Sequence, residues 1–321
     1  MMRNAPEQSA AQAVLGLLID GRARPLSELA RALRMSRASV SDQLGGLIRR
    51  GLVRPTGSPG RPQYVFAAER YAVAWAFVED AAVTVELAGL DLGTVDVRAV
   101  PREHGRECDQ VERLVAQSAA AHHREVLATV VASNDVLEPR TSGAGRVRVE
   151  RTVHLAAYGE FRRIHPDQAM LYFAFVSEGR MERGIVVDGR ILRGAGGIAG
   201  LIDDHASGGA EQAGETASCE AQARRLGETI GEDLRLLNPS AVVLSSLEGD
   251  PNGEVLARVR HAIYSAVSPS LTGSLTIAWS GLGRDAPAVG AKELALDLAR
   301  SPESLAALLA DPHPASQAAS A

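Results

Sequence analysis

Residues 27–62 read SELARALRMSRASVSDQLGGLIRRGLVRPTGSPGRP, and this stretch decides the N-terminal fold. Ser27 is placed to cap a short helix over residues 28–33, and Arg34-Met35 makes a turn. Ser36 then sits at the N-cap of a further helix. Its apolar positions Val40, Leu44, Leu47 and Ile48 fall at i, i+4, i+7 and i+8, one helical face. Gly51 ends that helix. Residues 52–54 read as a short strand, 55–62 as a turn-rich loop and 63–67 (QYVFA) as a returning strand. Upstream, AQAVLGLLID (residues 11–20) predicts a helix with a wide apolar face. Helix, helix, turn, helix and hairpin is the order of a winged helix-turn-helix, expected over residues 1–68.

In such a module the helix after the turn enters the major groove and reads base edges with its first residues. Ser36, Arg37, Ser39 and Ser41 are offered there. Asp42 suits that surface only where it accepts from a cytosine amino group or pairs with arginine. Arg49, Arg50 and Arg54 sit near the helix end and the wing base, where phosphate contacts position a protein without reading sequence. Arg61, on the stiff tip Gly60-Arg61-Pro62, suits the negative potential of a narrow minor groove. Charge supports a polyanionic partner. Residues 1–70 hold 11 arginines against 5 acidic residues, and the remainder holds 23 basic against 34 acidic. Winged helices also mediate protein contacts, so an interaction scaffold stands as an alternative.

Composition excludes several classes. With 321 residues, 45% hydrophobic and 23% charged, the chain predicts a soluble globular protein of two or three units. Its longest apolar run, AMLYFAFV at residues 169–176, is far short of the roughly 20 residues of a membrane helix. Asn4, Glu7 and Gln8 interrupt any signal-peptide core. Cys108 and Cys219 make no disulfide framework and fit a reducing cytosol, so a cytoplasmic location is expected.

Beyond Tyr71 the pattern changes. Strands are predicted at 72–78 and 83–88, a helix at 108–123 and a buried strand at 125–132. More strands follow at 169–176, 184–187 and 190–192, the last two joined by Asp188-Gly189. Helices at 221–237, 254–267 and 286–298 then alternate with strands at 241–245 and 275–278. This order predicts an α/β body with two sublobes over residues 71–300. Residues 301–321 are expected to be a C-terminal tail, partly disordered in the Ala/Ser/Pro stretch beyond about Asp311.

The stretch 27–62 is similar to the winged helix of bacterial repressors. GIVVDGRILRGAGGIAG (184–200), LGETIGEDLRLLNPSAVVLS (226–245) and GLGRDAPAVGAKELA (281–295) carry a further resemblance. Through them residues 71–298 resemble the body of the repressor–ORF–kinase (ROK) family. That family joins a winged helix to a two-lobed sugar-kinase-like domain of the actin/hexokinase (ribonuclease H-like) fold.

The resemblance implies a phosphate turn of the form Asp-x-Gly-x-Thr. Phe77-Val78-Glu79-Asp80-Ala81 stands there, without glycine and with two carboxylates. The second phosphate loop aligns with residues 177–183, which keep only Gly179, and the adenosine-side Gly-Gly with Ser245-Ser246. The catalytic base of an Asn-Asp pair aligns with Thr152 of Arg151-Thr152, ahead of Ala156-Ala157-Tyr158-Gly159-Glu160, and threonine takes no proton from a sugar hydroxyl. Asn134-Asp135 spells the pair but follows a strand, and aligns with the preceding loop. The sugar-gripping Glu and His align with Leu201 and Asp204, with His205 one residue late. Zinc in this family takes His and three cysteines, whereas residues 205–219 offer one of each. Gly194–Gly200 superficially resembles a dinucleotide fingerprint but lacks the helix that must follow.

The resemblance and these losses together imply a sequence-specific DNA-binding transcriptional regulator, a repressor and not an enzyme, with no cofactor and no metal. Its partners are expected to be a double-stranded operator and a second copy, as a homodimer or dimer of dimers, with no membrane. A small-molecule effector, a sugar or an anionic metabolite, is expected at Arg151, Thr152, Glu160, Asp204 and His205, with Arg180 as a further contact for an anion. The alternative from another class is an ATP-dependent ROK hexose kinase.

Overall fold

A computed structural model of the chain describes residues 9–58, 60–135, 146–177, 180–200, 219–246, 249 and 253–310. Contacts divide it into two compact units. The first holds the chain to Val131, residues 137–149 and the chain from Ala295 onward; the second holds residues 132–136 and 150–294. The winged helix and the first half of the body therefore share one unit, without a contact boundary at residues 68–71.

The first unit opens with α1 (Ala10–Leu18), capped by Ser9, whose hydroxyl accepts from the Gln12 N–H at 3.2 Å. A two-residue strand β1 (Arg24–Pro25) leads into α2 (Leu26–Leu33). This helix starts two residues before the predicted one, and Pro25, not Ser27, stands at its N-cap. The turn after it puts Arg34 in the left-handed region, φ 53°, before α3 (Arg37–Arg49). Strands β2 (Val53–Ser58) and β3 (Arg61–Phe66) form the wing, and the small sheet runs β1-β3-β2. Val14, Leu15, Leu18, Leu29, Val40, Leu44 and Leu47 bury the core of this module.

A single 3-10 turn (Ala68–Arg70) follows, and the Phe66 and Tyr71 rings stack across it with centroids 5.0 Å apart. Then come β4 (Tyr71–Val78), β5 (Ala82–Ala88), β6 (Thr94–Pro101), α4 (Glu107–Ala121), β7 (Glu125–Ser133) and β8 (Arg146–Glu150), in the sheet order β6-β5-β4-β7-β8. Central β4 is buried almost throughout, which is why it reads as one apolar run.

The second unit begins with α5 (Thr152–Arg163). Its sheet is built from β9 (Met170–Ser177), β10 (Arg180–Val187), β11 (Arg190–Ile191), β12 (Ala241–Ser246) and β13 (Thr276–Trp279), in the order β11-β10-β9-β12-β13. The first three run antiparallel, and β9, β12 and β13 run parallel. Helices α6 (Cys219–Leu237) and α7 (Glu254–Ala266) cover it, followed by the one-turn α8 (Pro269–Thr272). The segment that aligns with the second phosphate loop, 177–183, is strand at each described residue. Its register runs from Arg180 opposite Ser177 to Val187 opposite Met170, with Met181 turned into the core. Long α9 (Ala286–Ala299) crosses from the second unit into the first.

Residues Pro302–Ala310 form α10, which buries Ser304, Leu305 and Leu308. This amphipathic helix packs on α1. Residues 311–321 lie outside the described residues. Among the described residues, no helix is long and apolar enough to cross a membrane.

Candidate nucleic-acid interface

The start of α3 is built by its own sequence. Ser36 adopts extended backbone, and its hydroxyl accepts the Ser39 N–H at 3.0 Å. The Ser36 and Ser39 hydroxyls also lie 2.9 Å apart, so both serines spend part of their hydrogen-bonding capacity on the cap. Arg37, Ser41 and Asp42 are exposed along the same first turns. No arginine pairs with Asp42 among the described residues, which leaves its carboxylate an available acceptor.

The wing brings a second arginine to this end of the helix. Gly57, at φ 89°, lets β2 turn so close to β3 that a Cβ there would stand 2.8 Å from the Arg61 carbonyl oxygen. Arg61 opens β3 opposite Ser58 and is exposed. Arg37 and Arg61 line one open depression of about 470 Å³, with Pro25, Leu26 and Ser27 from the start of α2 and Pro62 and Gln63 from the wing. Among the described residues, no carboxylate pairs with Arg37, Arg49 or Arg61. Two guanidinium groups without counter-charges, on one concave surface, suit a polyanion.

The other arginines of the head sort by partner. Arg54 pairs with Glu69 at 3.5 Å, both more than half exposed, a weak pair that a phosphate can replace. Arg24 is structural: it holds Asp20 at 2.6 Å and donates to the Leu17 carbonyl, and it keeps the Asp20 carboxyl below its usual range. Arg50 departs from expectation. Its Nη2 donates to the Leu309 carbonyl at 2.6 Å, at the end of α10, so it serves the protein's own interior and not a phosphate.

The residues expected to hold an effector lie in the second unit. Arg151 precedes α5 and is largely engaged by the protein. Its Nη1 donates to the Asn134 carbonyl at 3.1 Å, and its Nη2 lies 3.6 Å from Glu182 Oε1. The Thr152 N–H donates to Asn134 Oδ1 at 3.4 Å. Glu160 is a correction. It is fully buried, and its Oε1 accepts from the Ser280 hydroxyl and from the Leu282 N–H at 2.9 Å, so it anchors the 280–283 turn out of a ligand's reach. Asp204, His205 and Leu201 lie outside the described residues, as does the Arg180 side chain.

Sequence reading missed a buried cluster beside them. His154 is fully buried; its Nε2 meets the Ala199 carbonyl at 2.9 Å and its Nδ1 faces Glu150 Oε2 at 3.7 Å. Only the Nε2–H tautomer or the imidazolium can donate to that carbonyl. Arg193 holds the other oxygen of Glu150 at 2.5 Å. The i, i+4 spacing of Glu150 and His154 across the start of a helix was the available signal.

The positions that align with the kinase phosphate turn and adenosine side are a hairpin turn and the end of β12. Glu79 and Asp80 are exposed at a tight turn closed by the Glu79 N–H on the Ala82 carbonyl. Ser245 is buried, and Ser246 accepts from the Gly249 N–H at 3.1 Å. Among the described residues, no three His, Cys, Asp or Glu side chains gather as a metal site.

A winged helix followed by a two-sheet α/β body defines the class, and solved structures share it. The crystal structure of a ROK family transcriptional regulator, a homolog of the Escherichia coli MLC protein, superposes with a TM-score of 0.68 at 16% identity, covering 94% of this chain and 98% of that one. A ROK hexokinase from Thermus thermophilus matches with a TM-score of 0.53, 16% identity and coverage of 70% and 98%. A ROK glucokinase from Streptomyces griseus, in complex with glucose and AMPPNP, gives 0.50, 16%, 70% and 99%. No family model matches the sequence, and no curated protein matches it. The chain thus has the fold of ROK proteins, with the actin-like body. The regulator's likeness extends over roughly a quarter of the chain beyond that of the two kinases, a share similar in length to the winged helix.

Proposed function

We propose that the chain is a sequence-specific DNA-binding transcriptional regulator, acting as a repressor, whose kinase-like body no longer phosphorylates. The observation that carries this reading is the shared depression of Arg37 and Arg61, two arginines without a carboxylate partner among the described residues, at the start of α3 and the tip of the wing. Arg37 and Ser41 read base edges, with the Ser36 and Ser39 hydroxyls beside them, and Arg61 enters the minor groove. Arg49 and Arg54 contact phosphates. The body supplies a homodimer that matches a two-fold operator, and it receives a small sugar or anionic metabolite near Arg151 and Thr152. The full-length likeness to a ROK regulator supports the same reading.

Purified protein mixed with sheared genomic DNA tests it, with Arg61→Ala as control. Recovery of one or a few promoter fragments, lost in the variant, is the expected result. Recovery of random DNA alone, or of none, goes against it. Steep salt dependence of the affinity separates DNA binding from a protein scaffold.

One observation favours a second reading, a sugar kinase. The contact between Asn134 and the Thr152 N–H sets Asn134-Asp135 beside the start of α5, where ROK kinases are expected to hold their Asn-Asp pair. ATP consumption above background with a hexose would establish it, and our reading expects none.

A further inference from the structure

Asp42 lies on the side of α3 that turns away from the protein. Val40, Leu44 and Leu47 bury one side of the helix. At about 3.6 residues per turn, the opposite side carries Ala38, Asp42, Gly45, Gly46 and Arg49. Ala38, Asp42 and Arg49 are exposed, and the Asp42 carboxylate has no partner among the described residues. Charges on a helix pair three or four residues apart. Around Asp42 those places hold Ala38, Ser39, Gly45 and Gly46, none of them basic. Asp42 also stands past the first turn, too far along for the positive end of the helix to favour a carboxylate.

The protein's own packing gives the two glycines no task either. Glycine is, after proline, the poorest helix former, and two in a row weaken the middle of α3. A Cβ at Gly46 would meet nothing within 4 Å, and one at Gly45 would meet only the flexible tip of Arg49, its Nη1, at 3.6 Å. Neither glycine has a positive φ. Together they leave bare helix backbone one turn after an unpaired carboxylate.

An ionised carboxylate only accepts hydrogen bonds. In the major groove guanine presents the acceptors N7 and O6, and thymine the acceptor O4, all of which repel it. Adenine sets its N6 amino donor beside the acceptor N7, whereas cytosine presents its N4 amino donor without one. An aspartate side chain is short, so it reaches a base edge only where the helix lies deep. Gly45 and Gly46 carry no side chain to hold the helix off. Arg37 stands five residues earlier, about 7.5 Å along the axis and more than two base-pair steps of about 3.4 Å, so the two side chains reach different base pairs.

We propose that Asp42 determines sequence specificity by accepting a hydrogen bond from the N4 amino group of a cytosine, with Gly45 and Gly46 letting α3 lie close enough for the contact. The proposal rests on the DNA-binding function above and adds to it the base that is selected and the residue that selects it.

The test is selection of bound duplexes from a pool of random sequence by the full chain at one fixed salt concentration, followed by affinities for every single-base change of the enriched site. The wild type is expected to prefer cytosine at one position of the site by about tenfold over the other bases. Asp42→Ala is expected to level that position to within about twofold and to keep the preferences elsewhere. Asp42→Asn is expected to move the preference there to adenine, which asparagine grips through N6 and N7. The double variant Gly45→Ala, Gly46→Ala is expected to unfold no earlier than the wild type and yet to bind the site about fivefold more weakly. A loss spread evenly over all positions in Asp42→Ala, or cytosine still preferred in Asp42→Asn, overturns the proposal. Full affinity in the double alanine variant removes the close approach that so short a side chain needs, and overturns it too. If the wild type enriches no sequence at all, the DNA-binding function itself falls and the proposal with it, an outcome distinct from the others.

Discussion

Gly290 of α9 lies so close to Leu155 of α5 that a Cβ would stand 1.8 Å from the Leu155 carbonyl oxygen, and Gly159 meets the Ala286 carbonyl in the same way at 2.4 Å. The two helices touch backbone to backbone, and a backbone cannot swing aside as a flexible side chain does. Gly290→Ala is therefore expected to cost about 3 kcal/mol in urea unfolding of the full chain. Gly46, inside α3, has nothing within 4 Å of its absent Cβ and an ordinary helical φ. Gly46→Ala is expected to gain about 0.5–1 kcal/mol. Effects of the same sign would contradict the packing described.

Much of this was legible from residues alone. The Ser36 cap and the apolar spacing of Val40, Leu44 and Leu47 fixed α3, because both signals are local. The wing strands were read too short because Pro55, Gly57 and Pro62 look like turn residues. Pro55 is tolerated on β2, an edge strand, and Pro62 lies beyond Gln63 and Tyr64, the only residues of β3 that β1 covers. Strands β6 and β8, at the two edges of their sheet, alternate valine with charge, and that polar half hid them. Helix α10 and the roles of Arg50 and Glu160 depend on partners more than a hundred residues away, which no local pattern reports.

Glu150 is 4% exposed and is held by Arg193, whose own side chain is about a third exposed. Removing the arginine leaves a buried carboxylate with, among the described residues, only the His154 ring beside it. Arg193→Ala is expected to cost about 2 kcal/mol, less than a deep pair because the arginine keeps part of its water. With Glu150→Gln as the second arm, a double-mutant cycle should give a coupling of about 1–3 kcal/mol. Additive losses would show that the two groups do not stabilise each other.

Burial pushes the Glu107 carboxyl up, but the N–H groups of Glu107 and Gly105 and the Arg102 guanidinium at 2.9 Å outweigh that and hold it below 4.5. A carboxyl lowered by folding contributes stability above its unfolded value, and that stability is lost as pH falls through the folded one. Glu107→Gln should thus lose about 1–2 kcal/mol at neutral pH, a figure kept low because the pair sits just beneath the surface. The gap should close in acid as pH falls through the lowered folded value, where the wild-type carboxyl is protonated too. A gap independent of pH in chemical unfolding would assign the loss to packing.

Arg37 and Arg49 stand at opposite ends of α3, both exposed and without a carboxylate partner among the described residues, and they are given different tasks. A guanidinium on a base edge discriminates sequence, whereas one on a phosphate binds any duplex. Arg37→Ala is expected to weaken binding to a captured promoter fragment by about 1–3 kcal/mol and to leave random-sequence DNA unaffected. Arg49→Ala is expected to weaken both duplexes alike and to lower the salt slope by about one. Competition titrations at several salt concentrations separate the two. Equal losses on both duplexes for Arg37→Ala would place that arginine on the phosphate backbone and leave base reading to Ser41 and Asp42.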